Sequence, residues 1–254
     1  MGVDQPVMVW REGVRVRAYE VGPDGVARMP ALCDWLQEAA GNHASALTWG
    51  VENLQQRRLT WVLARLHLRV SRWPRWRDDV TVQTWPSGVV RAFAVREFRI
   101  DLDDESVVVG TSGWVVMDTG SRRPVRPGAA LADMVLTTPP RVLDDGFERL
   151  PELPPAASAF EVRVGRSDLD LNAHANNVRF VAWALDGLPA AVADTWTLGE
   201  MEIDYRAEAR EGDLLMVEAA AGEGPQTWLH RITRPTDGRE LARARTRWRP
   251  RQAR

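Results

Sequence analysis

The feature that most limits what this chain can become is a pattern that occurs twice. A Pro-rich stretch, Thr137–Pro155, holds Pro139, Pro140, Pro151, Pro154 and Pro155 and reads as a linker. On each side of it one helical pattern precedes several alternating runs. In the first half Leu32, Trp35, Leu36 and Ala39 recur at helical spacing and predict a helix over Ala31–Leu47. Strand patterns follow at Trp61–Val70, Asp79–Thr84, Ala92–Leu102 and Val107–Asp118. In the second half Asn176–Leu188 reads as a helix stopped by Pro189, with strand patterns at Glu200–Arg206, Asp213–Ala219, Thr227–Arg234 and Glu240–Arg249. A constant offset of 134 lays Asp79 on Asp213, Phe93 on Thr227 and Trp114 on Trp248. This reads as an internal duplication.

A helix and a sheet each have to bury one apolar face, and the economical solution within one half is a sheet curled round the helix. The expectation is an α+β chain, a tandem double hot dog, each half an antiparallel sheet wrapped around a long helix. Its expected parts are an N-terminal half over 1–136, a Pro-rich linker over 137–157 and a C-terminal half over 158–254.

Bulk chemistry narrows the class. With 44% hydrophobic and 27% charged residues the chain is ordinary globular material, and its net charge of -2 gives no argument for nucleic acid. Every basic residue is Arg. The C-terminal R-A-R-T-R-W-R-P-R-Q-A-R fits an edge strand with Arg outward, with no nucleic-acid motif beside it. Cys33 is the only cysteine, so no intramolecular disulfide can form. The start M-G-V-D-Q-P lacks a basic region followed by an apolar core, and no apolar run is long enough to span a bilayer. A cytoplasmic protein without signal peptide or membrane span is expected. Nucleophile-elbow, phosphate-loop, zinc-helix and dinucleotide motifs are missing from the sequence.

Chemistry concentrates in D-L-D-L-N-A-H-A-N-N-V, Asp168–Val178, between a strand-like and a helix-like segment. In extended backbone Asp170, Asn172 and His174 would project from one face. An acid, an amide and an imidazole so aimed can activate water and stabilise an oxyanion, and the helix starting near Asn176 offers N–H groups for the same purpose. The same residue types also make helix-capping loops. A calcium loop fails, because Ala173 and Arg179 stand where Gly and Glu are needed, and no metal is expected. Aligning the two helix starts at an offset of about 146 puts Asp24, Val26 and Arg28 opposite Asp170, Asn172 and His174. The first half would then keep an acid without the amide and imidazole. His43, beside Asn42 on the first helix, and His67 and His230 on strands read as structural.

In order and spacing, several segments resemble the plant and bacterial acyl-acyl-carrier-protein (acyl-ACP) thioesterases. They are R-A-Y-E-V-G (Arg17–Gly22), L-Q-E-A-A-G-N-H-A (Leu36–Ala44), L-T-W-V-L-A-R-L-H-L (Leu59–Leu68), T-W-P-S-G (Thr84–Gly88), D-L-D-L-N-A-H-A-N-N-V, W-A-L-D-G-L-P (Trp183–Pro189) and D-Y-R-A-E-A (Asp204–Ala209). The resemblance implies a tandem hot-dog enzyme that hydrolyses the thioester joining a fatty acyl chain to carrier-protein phosphopantetheine, without a cofactor. Its D-x-N-x-H residues map to Asp170, Asn172 and His174, and its catalytic Glu maps to Glu208. The Cys that many plant members carry next to that Glu is Ala209 here, which favours a carboxylate mechanism. Trp35, Trp49 and Trp61 are candidate walls of the acyl pocket. Arg57-Arg58, Arg72–Arg77 and Arg122–Arg126 are candidate docking sites for an acidic acyl carrier protein, and a homodimer is compatible with the pattern. Two rival readings share the fold: an acyl-CoA thioesterase and a non-catalytic acyl-binding protein.

Overall fold

The computed structural model describes residues 8–127, 138–224 and 226–251, and in them the helix-then-strands order appears twice. β1 (Trp10–Arg15) leads into α1 (Met29–Ala46) and the short α2 (Val51–Gln56). Then come β2 (Leu59–Val70), β3 (Asp79–Val90), β4 (Phe93–Leu102), β5 (Glu105–Asp118) and the two-residue β6 (Pro124–Val125). The second set is β7 (Ser158–Arg163), α3 (Asn177–Asp186), α4 (Ala190–Thr195), β8 (Trp196–Tyr205), β9 (Leu214–Ala221), β10 (Thr227–Arg234) and β11 (Arg239–Pro250). The opening M-G-V-D-Q-P, Thr137 and the last three residues of the Arg-rich tail lie outside the described residues.

The chain divides into two units, Met1–Ala64 with Ser71–Phe147, and Arg65–Val70 with Glu148–Arg254. The division falls inside the Pro-rich stretch. In the first unit β1, β3, β4 and β5 pair antiparallel in that order, with β6 on the far side of β5. Pro30 sits in the first turn of α1, where the missing N–H costs nothing. The helix packs on β3 and buries Met29, Leu32, Cys33, Trp35, Leu36, Ala39 and His43 along one face. Leu32, Val82 and Ile100 are wholly buried, each withdrawal of such a side chain from water stabilising by about 2 kcal/mol.

Residues of the Pro-rich stretch are tied into this unit by one buried carboxylate. Glu97 on β4 accepts from Ser87 Oγ (2.8 Å), Thr111 Oγ1 (3.0 Å), Arg141 Nε (3.2 Å) and the Val142 N–H (3.1 Å). The Trp85 indole N–H donates to the Pro139 carbonyl at 3.1 Å, and Leu143 and Phe147 are buried. Buried polar groups persist only when so partnered, and residues 139–147 are therefore a docked strap rather than a free tether.

In the second unit the order runs from the Arg65–Val70 half of β2 through β8, β11, β10 and β9 to β7, all antiparallel. Val178, Phe180, Val181, Trp183 and Ala184 of α3 are buried, and the helix packs on β9 and β10. The Arg-rich C-terminal run is not an edge strand as expected, because β11 is paired on both sides. Its arginines are matched by carboxylates: Arg243 with Glu240, Arg245 with Glu202 and Arg247 with Glu200. A basic strand can be interior when carboxylates on its neighbour, here Glu200 and Glu202 of β8, and on the strand itself, here Glu240, supply the opposite charge. Each unit is a hot dog. Among the described residues no helix is long and apolar enough to cross a membrane.

Main-chain hydrogen bonds give the true register of the duplication, and it corrects the one read from sequence. Arg17 N–H to Glu20 (2.7 Å) repeats as Gly165 N–H to Asp168 (2.9 Å). Gly22 N–H to Val26 O repeats as Asp170 N–H to His174 O, both at 2.8 Å, and Arg28 N–H to Glu20 O repeats as Asn176 N–H to Asp168 O. The helices begin at Met29 and Asn177. All these pairs lie 148 apart, not 146. In the strands Asp78, not Asp79, matches Asp213: each accepts the N–H three residues before it, from Arg75 and Arg210. Trp114 does match Trp248, since both indoles donate two residues back, to Ser112 and Thr246. The partners of those two residues are Arg96 and Trp228, so Phe93 does not lie on Thr227. Bulges at Pro86/Gly88 and Ile100/Asp101 in one half, and at Ile232/Thr233 in the other, break any constant offset.

Candidate active site

Asp170 to His174 is a tight turn, not the extended segment that the alternation suggested. Leu169 and Ala175 pair antiparallel, Asp170 N–H donates to His174 O at 2.8 Å, and Ala173 N–H donates to Asp170 O at 3.0 Å. Ala173 takes φ 58°, a left-handed conformation that a turn this tight requires. The Asp170 carboxylate holds the turn from inside: its Oδ1 accepts the Asn172 N–H at 2.8 Å and the His174 N–H at 3.3 Å. A short side chain that bonds its own backbone two residues on competes with extended structure, and here it wins.

The turn is anchored at both ends. Asp168, buried, takes the Gly165 N–H on Oδ2 and meets Arg179 Nε of α3 at 2.7 Å with Oδ1, while its carbonyl takes the Asn176 N–H. Ala175 N–H donates to Ala209 O at 2.9 Å, which fastens the turn to the chain just beyond β8. That contact sets Glu208 beside the turn. His174 Nε2 lies 3.2 Å from Glu208 Oε2, with the imidazole about one-quarter and the carboxylate about one-half exposed (25% and 48%). The site is open to solvent and the pair is reachable.

Of the four residues expected to carry chemistry, the fold brings His174 and Glu208 into contact, although 34 residues separate them. It engages Asp170 in the turn's backbone and leaves Asn172 exposed at the tip. Ala209, at the position of the plant Cys, is wholly buried. At the start of α3 the Val178 N–H is taken by Asn176 Oδ1 (3.0 Å) and the Arg179 N–H by the Asn176 carbonyl (2.8 Å), so these two donors are not free for an oxyanion as expected. Arg210 escaped the sequence reading. Its Nη2 is 4.0 Å from Glu208 Oε2, and its only signal was a position two residues beyond the carboxylate.

In the first unit the equivalents of Asp170, Asn172 and His174 are Gly22, Asp24 and Val26, and the equivalent of Glu208 is Trp73. The same turn closes there with its one acid, Asp24, at the place of the amide, where its Oδ1 accepts the Val26 N–H at 3.1 Å, and with neither amide nor imidazole. Of the candidate wall residues, Trp49 and Trp61 meet: the Trp61 indole donates to the Trp49 carbonyl at 3.0 Å, in a cluster with Leu47 and Leu54. Trp35 instead donates to Glu20 at 2.9 Å. His43 is buried, stacked on Trp10 and 3.1 Å from Arg96; His67 meets Glu200 and His230 meets Thr246. Among the Arg clusters, Arg57 covers Trp49, Arg72 meets Asp103 and Glu105, Arg75 donates to the Asp24 carbonyl, and Arg77 covers Trp76. Arg122 sits in the turn after β5, its N–H on the Asp118 carbonyl.

The family description "Acyl-ACP thioesterase N-terminal domain" matches residues 8–131, and "Acyl-ACP thioesterase C-terminal domain" matches residues 154–250. The chloroplastic acyl-[acyl-carrier-protein] hydrolase FATB2 of Cuphea viscosissima is 31% identical over 99% of this chain and 65% of its own length. A chloroplastic palmitoyl-acyl carrier protein thioesterase of Cuphea hookeriana is 31% identical over 97% of this chain and 63% of its own. The chain thus spans a little under two thirds of these relatives. Among solved structures, a 12:0-ACP thioesterase from Umbellularia californica superposes with a TM-score of 0.85 at 28% identity, covering 96% of this chain and 95% of that one. An acyl-ACP thioesterase from Bacteroides thetaiotaomicron gives 0.85 at 23% identity, over 95% and 98%, which speaks for the fold.

Proposed function

This chain belongs to the acyl-ACP thioesterase family, and we propose that it hydrolyses the thioester of fatty acyl-ACP, releasing free fatty acid and ending chain elongation. The observation that carries the reading is the contact of His174 with Glu208 beside the Asp170 turn, in the half whose duplicate lacks all of these groups.

A carboxylate only accepts, so Glu208 takes the proton-bearing Nε2 of a neutral imidazole and leaves Nδ1 as the lone pair. Nδ1 removes a proton from water as the oxygen attacks the thioester carbonyl carbon. Asn172, at the tip of the turn, supplies an amide donor to the carbonyl oxygen as it gains charge. Asp170 fixes the turn and adds its negative charge beside the imidazolium that forms. The C–S bond then breaks, and the imidazolium returns its proton to the departing sulfur. A thiol of pKa about 8.5 leaves without strong acid help, so water activation is the step that most needs the protein. No metal or cofactor enters.

The test is hydrolysis of acyl-ACP carrying chains of graded length, with the freed acids identified by mass spectrometry. Release that drops 10²-fold or more in His174→Ala is expected, the usual range for a lost general base. A wild-type rate in that variant, or no release from any acyl-ACP, would defeat the reading.

A further inference from the structure

Leu171 is wholly exposed at the tip of the turn, and among the described residues of its unit it is the only large apolar side chain so exposed. The duplicate supplies an internal control. The same turn in the first unit, closed by the same main-chain bonds, has Pro23 at that place, so the turn does not need a leucine in order to form. Nor is the side chain carried on a loose loop. Two bonds to Asp170 Oδ1, the Asp170–His174 main-chain bond and the Leu169–Ala175 pairing hold the backbone on both sides of it. An apolar knob on a fixed backbone loses little freedom on association, which is how an anchor is built.

The charged side chains on the neighbouring segments are paired with opposite charge. Arg166 meets Glu211 at 2.9 Å, Arg179 meets Asp168 at 2.7 Å and Arg210 lies 4.0 Å from Glu208. Each guanidinium faces a carboxylate, so the charge here is balanced in sign, and Leu171 is the large apolar feature that stands out from it. The body that must reach this turn is the one that delivers the thioester. A carrier protein brings a folded surface up to the site together with its arm, whereas a free pantetheine thioester brings none.

Resting on the proposed acyl-ACP reaction, we infer that Leu171 is the apolar anchor on which the acyl carrier protein docks to present its thioester to His174 and Glu208. The experiment compares kcat/KM for one acyl chain on acyl carrier protein and on pantetheine, in wild type, Leu171→Ser and Leu171→Met. The ratio of the two should fall roughly tenfold in Leu171→Ser, as expected for loss of much of one buried leucine. The fall should reside in KM, persist at high salt where charge-based docking fades, and be restored by Leu171→Met. An unchanged ratio, or equal loss on both substrates, overturns the anchor. The functional reading fails separately if wild type cleaves the pantetheine ester and spares acyl-ACP.

Discussion

At the scale of single residues, burial separates the groups that can react from those that cannot. Glu208 and Ala209 are neighbours in sequence, yet the first is half exposed and the second has no exposed surface. The difference follows from the Ala175 N–H, which binds the Ala209 carbonyl and presses that residue under the turn. A cysteine placed there would sit in a protein interior, where thiolate formation is disfavoured. Ala209→Cys should therefore fold, keep the wild-type kcat within about twofold, and react slowly with a thiol reagent such as Ellman's reagent until the chain is unfolded. A rise in turnover accompanied by rapid thiol labelling would show that position 209 can reach substrate, and would return the nucleophile question to it. Arg210 makes a related point. It faces Glu208 through two residues of chain, a relation that no motif announces because it depends on how the segment after β8 bends.

At the scale of elements, the turn carries two roles on one side chain. Asp170 Oδ1 organises two N–H groups, and the same carboxylate stands in the proposed reaction. The roles separate by substitution, because an asparagine oxygen can accept the same two bonds without the charge. Asp170→Asn should unfold within about 0.5 kcal/mol of wild type, whereas Asp170→Ala should cost about 1–2 kcal/mol for the two orphaned N–H groups. Both should lose turnover by 10²-fold or more. If Asp170→Asn turned over normally, the residue would be scaffold alone. The elements themselves were largely legible. Helical spacing placed α1 and α3 within two residues at each end, and alternation found the eight long strands. It missed β1, whose six residues alternate too briefly and carry too many polar groups to stand out, and it set no bounds on the strand-like segment before the loop, which is β7. It also mistook the turn for extended backbone, since alternation of Asp, Asn and His is equally what a self-bonded turn contains.

At the scale of the whole chain, the duplication explains both what was legible and what was not. Two copies of one pattern pointed to two hot dogs, and each unit is one. The register needed coordinates, because Gly22 stands where the second half has Asp170 and side-chain identity drew the alignment two residues astray. With the register right, the duplicate becomes a record of which residues the architecture requires. Glu20 and Asp168 both tie the start of the turn and the residue before the helix, so that acid belongs to the fold. His174 and Glu208 have no counterparts, so they belong to something else. On the strands of this half, His230 of β10 lies buried against Thr246 at 2.9 Å. Burial pushes its imidazole down to about 4, against a smaller opposing pull from the Ala184 backbone of α3. The unfolded value is 6.5, so the folded protein prefers this side chain neutral and the unfolded chain takes up the proton first. The stabilisation is complete above pH 6.5 and drains away as pH falls toward and through 4. Between pH 7 and pH 5 the loss should be about 2 kcal/mol from this one group. Urea unfolding at the two pH values should show that slope in wild type and lack it in His230→Leu, whatever the variant's absolute stability. Equal slopes in the two proteins would mean that His230 titrates alike folded and unfolded, and that acid lability enters through other groups.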